Sequence, residues 1–297
     1  MSNDFQKTAN RVSLVSIMGN LALTAFKLLA GIIAHSSAMI SDAVHSASDV
    51  LSTFVVIIGI RISSKESDKD HPYGHERMEC VAAIILATIL LITGLSIGVD
   101  AVRTIAGGHY GDLAVPGMLA LAAAIVSIVT KEAMFWYTKI NAKRIDSSAL
   151  MADAWHHRSD ALSSIGALIG IAFARLGFPI MDPIASLVIC LFIAKAAYDI
   201  FKDAVNKMVD HACDEKTEEK LRSCAAKEEG VLGIDELRTR EFGNKIYVDI
   251  EISADGNHTL WEAHDIAERV HDKLEEQFPK VKHVMVHVNP FTDNAQE

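Results

Sequence analysis

Six stretches of this 297-residue chain, roughly 11–34, 38–62, 79–105, 114–138, 147–174 and 180–205, are long and apolar enough to cross a hydrocarbon layer as helices. That property narrows the fold more than any other. A backbone inside a bilayer must satisfy its own N–H and C=O groups, so only helices and closed barrels can span one. With 50% hydrophobic residues, the composition leans the same way. The run after Arg11 is too long for the apolar part of a cleavable signal and is followed by further spans, so it reads as a span itself.

The formal charge of -10 is unevenly placed. Residues 1–209 hold 17 Lys and Arg against 17 Asp and Glu, whereas residues 210–297 hold 11 against 21. The deficit lies where the apolar runs become short. This divides the chain into a six-span domain, 1–209, and a soluble acidic domain, 210–297. An acidic module argues against a nucleic-acid partner, which draws clustered Lys and Arg, and it suits a cation. Lys7 and Arg11 precede the first span; Arg61, Lys65, Lys69 and Arg77 lie between the second and third. Lys139, Lys143 and Arg144 lie between the fourth and fifth, and Lys202 and Lys207 close the sixth. The opposite loops carry little beyond Arg103 and Arg175, a bias that puts both termini in the cytoplasm. Cys80, Cys190, Cys213 and Cys224 form neither a CxxC pair nor a disulfide framework and read as small packing residues.

In the acidic portion the periodicity changes. Glu215–Lys227 reads as a helix with Asp214 as its N-cap, and Gly233–Glu241 as a strand. Lys245–Ser253 alternates Ile246, Val248, Ile250 and Ile252 against Tyr247, Asp249 and Glu251, the pattern of a strand with one wet face. Thr259 with Glu262 three residues on has the form of a capping box, starting a helix to Phe278. Val281–Val288 is the last strand. An α-β-β-α-β order fits a small α+β domain with helices packed on one sheet.

Two of the spans carry the same polar signature: His45-Ser46-Ala47-Ser48-Asp49 and His156-His157-Arg158-Ser159-Asp160. Four-residue spacing puts each imidazole and carboxylate on one helix face, one turn apart. Two such faces in contact offer two nitrogen and two oxygen ligands, a set suited to tetrahedral Zn²⁺; an all-carboxylate set would favour harder ions such as Mn²⁺. Ionisable groups in a bilayer are costly and mark an ion or proton path. His157 falls off the ligand face and packs against a neighbour or lines a water path. Asp42 and Asp153, three residues before His45 and His156, are candidate acceptors that orient the ligands or relay protons.

The two segments Ser41–Asp49 and Ala152–Asp160 resemble those of the cation diffusion facilitator family. So do the Asp68-Lys69-Asp70-His71-Pro72-Tyr73-Gly74-His75 loop and His287-Val288-Asn289-Pro290. The similarity runs from Asn20 and Lys27 to Pro290, and the chain resembles the zinc/proton antiporter-like members of the bacterial ferrous-iron/zinc efflux type. It implies a homodimeric divalent-metal/proton antiporter in the inner membrane, with six transmembrane helices and a ferredoxin-like, metallochaperone-like cytoplasmic domain. Zn²⁺ would be the main cargo, with Cd²⁺, Co²⁺ and Fe²⁺ as further passengers and protons as the counter-substrate. His45, Asp49, His156 and Asp160 would form the transport site; histidine at position 45 resembles the zinc-preferring members. The resemblance also implies a loop site of Asp68, His71 and His75, with Asp70 as the alternative carboxylate. A cytoplasmic site would use Glu251, His264 and His287, with His283 and Asp249 near them in sequence. Ile234 and Asn289 stand where some members carry further ligands. Arg77 and Asp210 resemble a charge pair between the domains.

Two other classes use similar residues. An intramembrane metallohydrolase places His and Asp on facing helices, but the His-Glu-x-x-His motif is absent. A zinc-sensing receptor would bind metal in the tail without transport.

Overall fold

The computed structural model describes residues 2–33, 37–107, 118–175 and 180–291. Six long helices come first: α1 (Ser2–Ile33), α2 (Ser37–Ser63), α3 (Arg77–Gly107), α4 (Met118–Ile145), α5 (Ser148–Arg175) and α6 (Met181–Met208). The shortest has 27 residues, roughly 40 Å of helix at 1.5 Å per residue, enough to cross a bilayer. The segment 114–117, expected to open the fourth span, lies outside the described residues. Within the chain the contacts separate two compact units, 2–205 and 206–297.

In the helical unit the usual distribution of polarity is inverted. Ser13, Ser16, Asn20, Lys27, Asp49, Thr53, Lys131, Asp153, His156 and His157 are buried, while Leu14, Met18, Leu29, Ile92, Leu95, Leu191 and Phe192 are exposed. A soluble protein with such an apolar exterior would aggregate; a bilayer is the solvent it fits. By length and composition alone, the stretch Phe5–Ala30 of α1 and the whole of α3 meet the description of a span. Helices α2, α4 and α5 carry the inward-facing polar groups Asp49, Lys131, Asp153, His156 and His157.

Small residues let the helices approach. Gly94 and Gly98, one turn apart on α3, receive Ile193 and Cys190 of α6; a Cβ at Gly94 would stand 2.7 Å from Ile193 Cγ2. This is the small-xxx-small arrangement by which helices pack where lipid gives no hydrophobic drive. Between α4 and α5 the chain reverses in a tight turn. Asp146 adopts φ 54°, and the Ser147 hydroxyl accepts from the N–H of Leu150, capping α5. The two helices therefore run back along each other in fixed register.

The second unit folds as α7 (Glu215–Ala225), β1 (Gly233–Phe242), β2 (Lys245–Asp255), α8 (Leu260–Gln277) and β3 (Val281–Phe291), with sheet order β1-β2-β3. Asp214 caps α7 by accepting from Thr217 N–H, and Thr259 and Glu262 form the complete capping box of α8. Strands β1 and β2 pair antiparallel through a turn in which Gly243 has φ 58°. Strands β2 and β3 pair parallel, which requires a crossover, and α8 supplies it. Ile246, Val248, Ile250, Ile252, Val284, Leu221, Ile266, Val270 and Leu274 make one core between helices and sheet. The other face carries Tyr247, Asp249 and Glu251 opposite His283, Met285 and His287.

Candidate metal centre

The pairing of α2 with α5 and of α4 with α5 makes the polar centre of the helical unit. Asp49 of α2 and His156 and Asp160 of α5 place one donor atom each within 4.8 Å of one another. His156 Nε2 stands 3.5 Å from Asp49 Oδ1, too far for a good hydrogen bond, and has no nearer hydrogen-bond partner among the described residues. A buried imidazole nitrogen left in this way, facing two carboxylates, is what a metal-ligand set lacking its ion presents. His45 and Asp42 lie on the same helix α2, but their side chains are outside the described residues.

A residue that the motif reading did not single out stands at the middle of this centre. Lys131 of α4 is 2% exposed, and its Nζ donates to Asp49 Oδ2 at 2.6 Å and to Asp160 Oδ2 at 2.8 Å. The two carboxylates come from different helices, so one ammonium from a third helix ties them together. Two like charges this close repel by about 4 kcal/mol even at an effective dielectric of 20, and a cation between them removes that cost. The signal was present in the sequence: an ionisable pair, Lys131-Glu132, in the middle of an apolar run. Glu132 points to a different partner, Arg158, at 3.6 Å, whose guanidinium carbon lies 4.4 Å from the Phe135 ring centre. These contacts hold α4 to α5 beside the centre.

Asp153 and His157, one turn apart on α5, form a separate buried set. His157 Nε2 is 3.6 Å from Asp153 Oδ2 and 3.2 Å from Ser16 Oγ of α1, and Thr53 Oγ1 donates to Asp153 Oδ1 at 3.4 Å. Asp153 thus neighbours His157 and α2 rather than orienting His156. Lys27 of α1, also buried, donates to Ser46 Oγ at 2.9 Å, beside the α2 motif.

The loop after α2 gathers Asp68, His71 and His75, with donor atoms within 4.8 Å of one another. Asp68 accepts backbone N–H bonds from His71 at 2.7 Å and Asp70 at 3.0 Å; its Oδ2 is 3.4 Å from His75 Nε2. The backbone N–H of His71 holds the Asp68 carboxyl below the usual carboxylate range. Asp70 contributes its backbone to this turn and Asp68 its carboxylate.

In the soluble unit the expected three residues do not converge within one chain. Glu251 and His287 are neighbours across β2 and β3, and Glu251 Oε2 accepts from Asn289 at 3.2 Å. His264 lies on α8, where Nε2 is 4.0 Å from Glu268 Oε2. A different trio does converge: His271 and Glu275, one turn apart on α8, and His283 at the start of β3. Glu275 Oε1 is 3.1 Å from His271 Nε2 and 3.8 Å from His283 Nδ1, and Asp272 stands 3.1 Å from the other nitrogen of His271. The His271–Glu275 spacing is that of the transport motifs, but it was hidden in a charged helix where such pairs are common. Arg77 opens α3 and Asp210 follows α6 at φ 61°, each in its own unit.

Comparison with known proteins gives matches over nearly the whole chain. Residues 13–209 match the cation efflux transmembrane domain and residues 213–291 the cation efflux protein cytoplasmic domain. The manganese efflux system protein MneP of Bacillus subtilis is 31% identical, over 98% of this chain and 99% of its own length. The manganese efflux system protein MneS of the same organism is 35% identical over 97% of each chain. The magnetosome protein MamB of a Magnetospira strain is 32% identical over 91% of this chain and 92% of its own. The solved MamM-CTD structure is similar to the C-terminal unit, at 26% identity over 26% of this chain and 98% of that one, with a TM-score of 0.26.

Proposed function

The chain belongs to the cation efflux, or cation diffusion facilitator, family of integral membrane metal transporters, and from that premise we propose that it exports Zn²⁺ from the cytoplasm in exchange for protons. One observation carries the reading: Asp49, Asp160 and His156, donated by two helices, converge on one buried point. With His45 they would supply two oxygens and two nitrogens, the borderline set that suits Zn²⁺. Metal requires neutral imidazole, and an acidic outer side supplies protons, so the two cations compete for the same ligands. That competition couples the flows. A rocking of α2 and α5 would expose the pocket to alternate sides, the usual behaviour of a site fixed near the membrane midplane. The loop residues Asp68, His71 and His75 and the acidic tail would raise the local ion concentration at the cytoplasmic mouth. Metal at Glu251, His264 and His287, contributed across a homodimer, would tighten the tails and regulate the motion.

A second reading, Mn²⁺ as the main cargo, is favoured by the names of MneP and MneS. Reconstituted vesicles decide between them. Protein in liposomes with a pH-sensitive dye inside should take up Zn²⁺ faster than Mn²⁺ and only with a proton gradient. Asp49→Asn and Asp160→Asn should each reduce Zn²⁺ flux at least 100-fold. Full flux in either variant would refute the site, and faster Mn²⁺ uptake would select the second reading.

A further inference from the structure

A transport site must be stable empty as well as loaded, since an exporter returns without its cargo. Two carboxylates facing each other in a dry centre are not stable alone. Here the chain supplies its own cation. Lys131 Nζ bonds both Asp49 and Asp160, at 2.6 and 2.8 Å, on the two carboxylates that a divalent ion would take. Its side chain is 2% exposed, so it does not simply snorkel to water. The ammonium and a divalent cation compete for the space between these carboxylates: side by side in a buried centre, their positive charges repel strongly.

We propose that Lys131 is a tethered substitute cation, exchanged for the incoming metal ion and restored when the ion leaves. The proposal rests on the reading of Asp49, His156 and Asp160 as the ion site. Loading then means that metal–carboxylate bonds form while two N–H···O bonds break, and the ammonium swings away along α4. Unloading is the reverse. The lysine lowers equilibrium affinity for the cargo, because every ion must displace it, and speeds release, because it closes the carboxylates behind the departing ion. It is a positioning residue for the empty state and contributes no ligand to the metal.

This makes an unusual prediction for a residue in a transport centre: its removal tightens binding and slows transport. For Lys131→Gln, calorimetric titration of the full-length protein in lipid nanodiscs with Zn²⁺ should give a Kd at least tenfold lower than wild type. The same variant in vesicles should show lower KM and lower kcat together. A lysine that only holds the helices in place predicts the opposite, weaker binding and a raised KM, and that result, or an unchanged Kd, overturns the proposal. Lys131→Arg gives a separate decision should the Gln variant fold poorly. A forked guanidinium grips two carboxylates more firmly, so Zn²⁺ should bind at least tenfold more weakly; unchanged or tighter binding there also counts against it. The underlying site is checked by Asp160→Asn on the otherwise native chain: Zn²⁺ binding in the helical unit that persists in this variant faults the site assignment itself, not the role of the lysine.

Discussion

His156 and His157 are adjacent in sequence and have different surroundings. On a helix they differ by about 100°, so His156 looks toward Asp49 and Asp160 while His157 is enclosed with Asp153 and Ser16. The first has a nitrogen directed at the Asp49 carboxylate; the second closes a polar contact between α5 and α1. Replacing His157 by Phe puts a larger, apolar ring in this enclosed space and removes the contact with Ser16, a loss of roughly 1–3 kcal/mol for a buried polar group left without its partner. The variant should therefore unfold at lower temperature in detergent, while its Zn²⁺ Kd stays within about tenfold of wild type, or 1.4 kcal/mol. His156→Ala should do the reverse, and calorimetry beside thermal unfolding separates the two. Four-residue spacing made the distinction between these histidines legible beforehand, because helix geometry fixes which residues share a face. Lys131 was not legible in the same way. The Lys131-Glu132 pair within an apolar run marks an inward-facing charge but does not say what either residue faces. Only packing shows that the lysine lies between carboxylates on two other helices.

Elements were easier to read than their contacts. All six long helices and the α-β-β-α-β order follow from apolar run length, alternation and caps, and the capping box of Thr259 and Glu262 forms as the pattern requires. The close seat of α3 against α6 was hidden, because Gly94 and Gly98 find their partners Ile193 and Cys190 only in three dimensions. Gly98→Leu should force α3 and α6 apart and sharply lower the yield of folded protein in size-exclusion chromatography, whereas Gly107→Leu at the helix end should not. The His271, Glu275 and His283 trio was hidden for a similar reason: β3 brings the third donor from beyond the end of α8. Zn²⁺ should raise the unfolding temperature of the tail less in His271→Ala/His283→Ala than in wild type; an equal rise in both would dissociate the trio from metal. The cysteine reading can also be tested. Burial pushes the Cys213 thiol from the ordinary 9.0 up to about 11, so it is inert to alkylation at pH 8. Because its pKa is raised in the folded state, the stability it contributes is intact below pH 9 and fades as pH climbs through about 11.

At the scale of the molecule, charge and hydropathy make opposite demands on the two units, and orientation is where they meet. The helical unit exposes apolar side chains and buries polar ones, so its surroundings must be lipid. The tail has the ordinary arrangement, with an apolar core beneath α7 and α8 and a charged open sheet face, so its surroundings must be water. Lys and Arg decide which water. Arg61, Lys65, Lys69 and Arg77 flank the loop from α2 to α3, and Lys139, Lys143 and Arg144 close α4 before the turn to α5. Six spans would place these two connections on the same side as both termini, and on the positive-inside bias we propose that this side is the cytoplasm. A fluorescent protein fused after residue 297 should therefore glow and a periplasmic phosphatase fused there should stay inactive. The same phosphatase inserted in the connection between α3 and α4, which holds no Lys or Arg between Arg103 and Lys131, should be active. The opposite pair of results would overturn the proposed orientation and with it the proposed direction of transport. Reversing the bias by Lys65→Glu, Lys69→Glu, Lys139→Glu and Lys143→Glu together should scramble both reporters, because it removes the positive charge on which the proposed orientation rests.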